Sequence, residues 1–329
     1  MFDLTFLGTA ATTPTLERGL PALLVGAPRH RFLIDCGEGT QRQLLRAGTG
    51  LRRLGHIFLT HAHLDHVLGL AGLIATLGLL DLRGGLTICG SEQTLRFVAQ
   101  YLGAIWPAGR APVPIGFAVL TPGVILEERD FSVCCFPVQH RGTESLGYRF
   151  NAAPRRHVDA RRMAALGVLE GPIRGALARG EAVTLPDGRR IEPEAVLQPP
   201  SPGLSVAVIG DTEEVDTLVA PVAGADLLVI ESTFMDADAN LAAQRGHLTA
   251  GDAGRLAAGA GVGRLILTHL SGRYDPNAVR AEAAELFPNT CVADDFDKFA
   301  VTHPARSPAS VDLPREDLLQ GDGNPAPGV

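Results

Sequence analysis

The stretch His61-Ala62-His63-Leu64-Asp65-His66 places four metal-ligand side chains within six residues. It directly follows an apolar segment that predicts a buried strand, and it opens the run VLGLAGLIATL, which predicts a buried helix. Three imidazoles in one turn would be costly to bury without partners. Neutral imidazoles and a carboxylate are ligands that zinc and similar divalent metals accept. The stretch therefore predicts a metal site between a strand and a helix.

Five apolar segments, including the one before this stretch, predict buried strands, and each ends in a potential ligand: His56–His61, Phe136–His140, Ser205–Asp211, Asp226–Glu231 and Arg264–His269. Ligands in α/β folds gather at the carboxyl ends of strands, so the five ends predict one site along one rim. The similar sequences IFLTH and LILTH are consistent with a duplicated βα arrangement.

Four segments between the strands predict helices: Gly39–Ala47, Ser91–Tyr101, Thr249–Ala260 and Pro276–Phe287. Thr249 and Asp252 have the spacing of a helix N-cap and an acid in the first turn.

The ligand-type residues can be divided between two ions. His61 and His63 alternate and can point the same way, whereas Asp65 and His66 lie on the next turn. Our hypothesis assigns His61, His63 and His140 to one metal and Asp65, His66 and His269 to the other, with Asp211 as the bridge. Two metals roughly 3.5–4 Å apart suit in-line phosphoryl displacement. Asp65 would orient the attacking water and accept its proton.

Residues near this cluster are candidates for further roles in phosphodiester cleavage. In an RNA phosphodiester the leaving group would be a ribose oxygen, which a general acid would assist. His247 is the candidate acid, and Glu231 could orient it and raise its pKa. Ser271 and Arg273 follow the ligand His269 and are candidates for phosphate binding. Alone, His247 also fits a helix-capping residue and Arg273 an ordinary turn salt bridge.

Composition limits the class of protein. The chain has 329 residues, 46% of them hydrophobic, which is enough for a full-size core. Its five cysteines form no C-x-x-C pair, which indicates reduced thiols in the cytoplasm and no cysteine-based zinc site. The start MFDLTFLGTA has no basic region followed by an apolar one, so we expect no signal peptide. The apolar run Val67–Leu80 is too short to span a bilayer, so no membrane partner is expected.

The charge is unevenly distributed. Residues 149–190 contain nine Arg and four acidic residues, a local charge of +5 in a chain of net charge −7, which leaves −12 elsewhere. Such a basic segment can attract a polyanion, although a solvated surface would look the same.

Longer stretches resemble ribonuclease Z, a tRNA 3′-processing endonuclease of the metallo-β-lactamase superfamily. They are FLGTAATTPTLER from Phe6, IDCGEGTQRQLL from Ile34, PVQHRGTESLGYRF from Pro137, GDT from Gly210, LTHLSGRY from Leu267 and the VADDFDKFAV stretch. The resemblance runs to about Thr302. It implies a four-layered αβ/βα sandwich, two divalent metal ions per subunit (zinc expected, manganese the alternative) and a homodimer that binds precursor tRNA.

The resemblance also assigns roles to individual residues. The family's ligands match His61, His63, Asp65, His66, His140, Asp211 and His269. Its catalytic carboxylate matches Asp65, and its proton-donating histidine and assisting glutamate match His247 and Glu231.

The segment Asn151–Pro200 predicts an inserted, projecting arm, and Leu166–Pro200 resembles the tRNA-binding arm of bacterial ribonuclease Z, including Gly171-Pro172. Arg174 and Arg179 lie beside this element and are candidates for tRNA contacts. We expect residues 1–303 to form one catalytic domain that includes the arm, and residues 304–329 to be a disordered tail.

Three features depart from the family pattern. Leu64 replaces the usual glycine, Ile230 replaces the histidine before Glu231, and Gly19-Leu20-Pro21 replaces a polar pair. Residues 166–200 contain four Arg and five acidic residues, so residues 155–162 are expected to supply more of the phosphate contacts.

Two other functions remain open from sequence. A hydrolase of a small phosphodiester, thioester or lactone would share the metal cluster but would not explain the arm. A non-catalytic RNA-binding relative would not need Asp65, Asp211 and His247.

Overall fold

The computed structural model describes residues 2–51, 53–80, 85–154, 156–168 and 171–301. The predicted tail, residues 304–329, lies outside the described residues. The described strands, in chain order, are β1 Asp3–Gly8, β2 Ala22–Ala27, β3 His30–Ile34, β4 Leu54–Phe58, β5 Leu86–Gly90, β6 Ile115–Val119, β7 Gly123–Glu127, β8 Phe131–His140, β9 Thr143–Ala152, β10 Val183–Thr184, β11 Arg190–Ile191, β12 Ser205–Val208, β13 Leu227–Glu231, β14 Leu265–Thr268, β15 Thr290–Val292 and β16 Lys298–Ala300.

The helices alternate with these strands along most of the chain. The described α-helices are α1 Thr40–Arg46, α2 Leu64–Val67, α3 Leu70–Leu79, α4 Glu92–Ile105, α5 Ala160–Ala165, α6 Pro172–Ala178, α7 Val219–Val222, α8 Ala239–Arg245, α9 Ala250–Ala260 and α10 Pro276–Leu286. Short 3-10 turns occupy Pro107–Gly109, Pro193–Ala195, Asp216–Leu218 and Asp236–Asp238. None of the described helices is long and apolar enough to cross a membrane.

Two seven-stranded mixed sheets form the body of the fold. Their strand orders are β16-β1-β2-β3-β4-β5-β6 and β15-β14-β13-β12-β9-β8-β7. In each sheet, four neighbouring strands run parallel: β3 to β6 in the first and β12 to β15 in the second. The remaining neighbours are antiparallel. The two halves of the chain therefore build similar sheets.

Both faces of each sheet are buried, which explains the continuous apolar segments in the sequence. In β2, Leu23 and Val25 face the core between the sheets, whereas Ala22 and Leu24 face the core under the first helix layer. The second sheet packs in the same way against α7, α9 and α10. The layer order is helix, sheet, sheet, helix, and the predicted αβ/βα sandwich is confirmed.

All five predicted strands and four predicted helices are present. Thr249 and Asp252 form a full capping box at the start of α9, so the predicted N-cap is confirmed. The single helix predicted for Val67–Leu80 is wrong, because α2 and α3 are separate. The Gly69 N–H donates to Cys36 O at 2.8 Å, so this loop contact replaces a helical hydrogen bond at the break.

The inserted segment has a small hydrophobic core of its own. Residues 153–203 contain α5, α6 and the hairpin β10–β11, and their buried side chains form a cluster of Met163, Val168, Leu177, Leu185, Ile191 and Val196. Asn151 and Ala152 still belong to β9. The two ends of the segment meet where Ala152 N donates to Leu204 O at 2.8 Å.

Gly203 allows this close approach, because a Cβ added there would lie 1.7 Å from Ala152 O. We expect Gly203→Ala to lower the free energy of unfolding by about 1–3 kcal/mol, since the backbone must shift. Urea denaturation would measure the change. Gly175→Ala is the matched control: it lies inside α6, its nearest contact would be 3.4 Å from Arg179 Nη1, and alanine favours helices. Equal stability of the two variants would contradict the expectation.

Candidate metal centre

Seven ligand-type side chains converge from four strand ends of the two sheets. Their atoms form two groups in the described structure, and within each group they lie within 4.8 Å of one another. Because the Asp211 carboxylate belongs to both groups, the groups share one ligand and lie side by side. The first group is His61, His63, His140 and Asp211, and the second is Asp65, His66, Asp211 and His269.

Local structure explains how one short stretch serves both groups. Residues 59–63 are non-helical, and His63 is the N-cap of α2 with extended backbone angles. Asp65 and His66 lie in the first turn of α2 and are buried, whereas the side chain of Leu64 is 55% exposed. Leu64 therefore points outward from the centre, beside the ligands.

Several of these buried side chains have polar atoms without a hydrogen-bond partner. Among the described residues, the unpartnered buried atoms include Nε2 of His61, His66 and His269 and Oδ1 of Asp211. His66 Nε2 and His269 Nε2 lie 3.3 Å and 3.2 Å from Asp211 Oδ1, without hydrogen-bond geometry. Burying such atoms unpaired is costly. A divalent cation would satisfy these lone pairs together, so the donor set fits metal ions.

The other ring nitrogen of four histidines contacts a protein group. His66 Nδ1 lies 2.8 Å from Asp35 Oδ2, and His140 Nδ1 lies 2.8 Å from Gly246 O. His61 Nδ1 and His269 Nδ1 lie 3.0 Å and 2.8 Å from the hydroxyls of Thr60 and Thr233. His63 differs, because its Nδ1 lies 3.2 Å from His140 Nε2. Four Nε2 atoms and one Nδ1 thus face the centre.

The electrostatics favour a positive charge at the centre. Burial lowers the pKa of His61, His63 and His140, so these imidazoles stay neutral and keep a free lone pair. Burial also lowers the pKa of His66, but the carboxylates of Asp211 and Asp35 raise it well above its ordinary value. Burial opposes the ionisation of Asp211, yet its histidine neighbours hold its pKa well below the usual range.

His247 and Glu231 form a third group beside these two, together with His269. Glu231 is fully buried, and its Oε1 accepts from Thr212 N at 2.8 Å and lies 3.0 Å from His247 Nδ1. Burial lowers the pKa of His247, but the carboxylates of Glu231 and Asp211 raise it to about 9. The two carboxylates therefore favour the protonated form of His247.

The predicted phosphate-binding residues next to His269 lie at the rim. Ser271 is half-buried and lines a groove with Thr15, Arg18 and Tyr274. Arg273 is exposed, and its backbone N–H donates to Ser271 Oγ.

The predicted arm contacts are not part of this cluster. Gly171 is the N-cap of α6, Pro172 is its first residue, and Arg174 lies within it. Several arginines of the segment pair with carboxylates of the same segment: Arg156 with Glu194, Arg162 with Asp159, Arg179 with Glu181, Arg189 with Asp187 and Arg190 with Glu192. These pairs lower the free positive charge that the composition of residues 149–190 suggested.

Sequence reasoning missed three residues around the centre. Asp35, Thr60 and Thr233 contact ligand histidines. Their position in the sequence was a signal. Each lies at or just after the end of a strand that carries a ligand, or of a strand next to such a strand. Their types gave no signal, because Asp and Thr are common at such ends.

Comparison with protein families and relatives agrees with this geometry. Residues 19–124 match the metallo-beta-lactamase superfamily, and residues 180–270 match a beta-lactamase superfamily domain. The chain is 54% identical over 301 residues to the ribonuclease Z of Bradyrhizobium diazoefficiens, covering 92% of this chain and 100% of the relative. It is 39% identical to the ribonuclease Z of Synechococcus sp. strain WH7803, covering 91% and 96%.

Solved structures with lower identity share the fold. Human tRNase Z, short form, has a TM-score of 0.65 at 24% identity, covering 91% of this chain and 99% of that chain. The metallo-beta-lactamase fold protein YhfI from Bacillus subtilis also has a TM-score of 0.65, at 18% identity, covering 91% and 98%. The sequence relatives, which match along nearly their whole length, decide the family: this chain belongs to the ribonuclease Z family of the metallo-β-lactamase superfamily.

Proposed function

We propose that this protein is a metal-dependent endoribonuclease that removes the 3′ trailer from precursor tRNA and leaves a tRNA 3′-hydroxyl. The observation that carries the proposal is a pair of ligand groups that share Asp211, in a chain that is 54% identical to a ribonuclease Z. Hydrolysis joins a water oxygen to phosphorus and breaks the bond to the ribose 3′-oxygen. The products are a tRNA 3′-hydroxyl and a trailer with a 5′-phosphate.

Two divalent ions per subunit fit the donor set. His61, His63 and His140 would hold one, Asp65, His66 and His269 the other, and Asp211 both. Imidazole and carboxylate ligands suit zinc, and manganese is the alternative. Bound ions would stabilise charge on the phosphate and acidify water.

Asp65 is the proposed proton acceptor for the attacking water. Its side chain is 10% exposed, and its Oδ2 lies 3.6 Å from His269 Nε2, so the carboxylate lies against another ligand of the second group. Although burial opposes ionisation, the neighbouring histidines lower the pKa of Asp65, so it is ionised and able to accept a proton.

His247 is the proposed general acid for the leaving ribose oxygen. Its side chain is 12% exposed and Glu231 holds its Nδ1, so its other ring nitrogen remains for the substrate. Glu231 also keeps the ring protonated at neutral pH.

Phosphate contacts are assigned to two regions. Ser271 and Arg273 lie beside the second ligand group and would bind phosphates near the cut. Gly171, Pro172, Arg174 and Arg179 would bind tRNA farther away, through the arm. The arm ion pairs are exposed to solvent and therefore contribute little stability, so phosphates can replace their carboxylates.

The assembly and location follow the family resemblance. We assign a homodimer in which the arm of one subunit presents tRNA to the centre of its partner. The five free cysteines support a cytoplasmic location, where thiols stay reduced.

The first experiment is cleavage of a 5′-labelled precursor tRNA by metal-loaded protein. We expect a single cut after the discriminator base, with a rate under subsaturating conditions that falls steeply as salt rises, because phosphate contacts release counterions. No cut, together with turnover of a small phosphodiester, would move the natural substrate to the alternative class of small phosphodiesters, thioesters or lactones.

Removing the arm should separate RNA binding from chemistry. Residues 156–200 can be replaced by a short Gly-Ser linker, because the ends of the segment are adjacent and its hydrophobic core is its own. We expect loss of precursor tRNA cleavage and retention of activity on bis(p-nitrophenyl) phosphate. Unchanged tRNA processing would contradict the substrate assignment.

His247→Ala should depend on the leaving group. A general acid contributes about 10²–10⁴-fold where the leaving group is poor. We expect a loss of that size in the single-turnover rate on RNA and a much smaller loss with p-nitrophenolate as leaving group. Equal losses on both substrates would rule out the acid role.

Asp211→Ala should weaken binding of both ions, because the carboxylate belongs to both groups. Zinc content after dialysis, measured by atomic absorption, should fall below that of His63→Ala, which removes a ligand from one group only. Two retained ions in Asp211→Ala would contradict the shared role.

A further inference from the structure

Two buried carboxylates beside the ligand groups share the same bonding pattern. Glu231 contacts His247 directly at 3.0 Å and accepts from the Thr233 hydroxyl at 2.5 Å, and that hydroxyl lies 2.8 Å from His269 Nδ1. Asp35 contacts His66 directly at 2.8 Å and accepts from the Thr60 hydroxyl at 2.8 Å, and that hydroxyl lies 3.0 Å from His61 Nδ1. Each carboxylate thus reaches one histidine directly and another through a threonine.

The position of the hydroxyl proton decides what Thr233 does. The hydroxyl has one proton and three possible acceptors in reach: Glu231 Oε2 at 2.5 Å, His269 Nδ1 at 2.8 Å and His269 O at 3.1 Å. A hydrogen bond to an ionised carboxylate is the strongest, so the proton points to Glu231. The Thr233 oxygen then accepts from His269 Nδ1–H, and His269 Nε2 is left with a free lone pair.

The same argument applies to Thr60. Its proton points to Asp35 Oδ2, so its oxygen accepts from His61 Nδ1–H. The contact of Thr60 with His66 is longer, at 3.4 Å, and His66 already donates to Asp35. His61 Nε2 is likewise a buried atom without a hydrogen-bond partner.

We propose that Thr233 and Thr60 are positioning residues whose hydroxyls hold the metal-ligand histidines His269 and His61 in the Nδ1–H tautomer, as links to Glu231 and Asp35. The inference rests on the metal centre of the proposed function. A neutral imidazole carries one ring proton, so a proton on Nδ1 keeps Nε2 free to bind a cation. Each threonine thus acts on a cation through a histidine, without touching the cation.

Glu231 thereby serves two histidines in different ways. It contacts His247 directly, and it orients His269 through the hydroxyl of Thr233, which lies between them. Thr233 is 5% exposed and Thr60 is 2% exposed, so water does not readily replace either hydroxyl.

Replacement by valine tests the hydroxyl, because valine keeps the branched shape and removes the acceptor. We expect Thr233→Val to lower the zinc affinity of the second ligand group about 10–100-fold, and Thr60→Val to lower that of the first group by a similar factor. Stepwise zinc titration against a chromophoric chelator would measure both. Thr233→Ser and Thr60→Ser should restore tight binding, since serine keeps the hydroxyl.

Thr212→Val is the matched control. Thr212 is fully buried next to Asp211, but its hydroxyl lies near the carbonyl oxygens of Gln139 and Glu214 and not near an imidazole. We expect this variant to lose stability without weakened zinc binding. Imidazole ¹⁵N–¹H spectra of the zinc-loaded protein supply a second readout: the Nδ1–H signals of His269 and His61 should be present in wild type and shifted only in the matching valine variant.

The outcomes separate this inference from the function on which it rests. Unchanged zinc affinity in both valine variants, or a serine variant as weak as its valine counterpart, would overturn the inference and leave the metal centre intact. Wild-type protein that bound no divalent ion would overturn the metal centre and the inference with it.

Discussion

The shared carboxylate of Asp211 is the constraint on which the rest of the centre depends. It is 2% exposed and within reach of two sets of histidines, so its charge must be balanced inside the protein. An uncompensated buried charge would be strongly destabilising. The surrounding imidazoles can provide this balance, either by carrying positive charge or by binding metal ions. The seven ligand-type side chains are therefore stable together only when positive charge is present among them.

The architecture supplies the means to meet this demand. Parallel strands end at the same edge, and the two sheets bring two such edges together, so ligands far apart in sequence become neighbours. Because both sheet faces are covered, the core holds the strand ends rigidly. The loops after those ends then carry the chemistry, including residues with strained backbone such as His269, with a φ of 56°.

Much of this was predictable from sequence, and the failures have physical causes. Apolar segments ending in ligands predicted the strands, and the HAHLDH stretch predicted the cluster, because both signals are local. Thr60, Thr233 and Asp35 were missed because their roles depend on contacts between separate strands. The break between α2 and α3 was missed because a tertiary contact at Gly69 overrides a continuous helical pattern. The count of +5 over residues 149–190 left out Glu192 and Glu194, which lie next in the chain and pair with Arg190 and Arg156 in the structure.

The fold alone would not have identified the substrate, since solved structures of differently named proteins match it equally well. Function on a shared fold depends on the site and on the loops that carry it. In this chain the inserted segment has its own hydrophobic core, and its two ends join the rest of the fold at adjacent backbone positions. Joining neighbouring ends costs little loop entropy. This segment can therefore evolve separately from the rest of the fold, because a lineage can lengthen it, change its charge or replace it while the two sheets stay under their own selection.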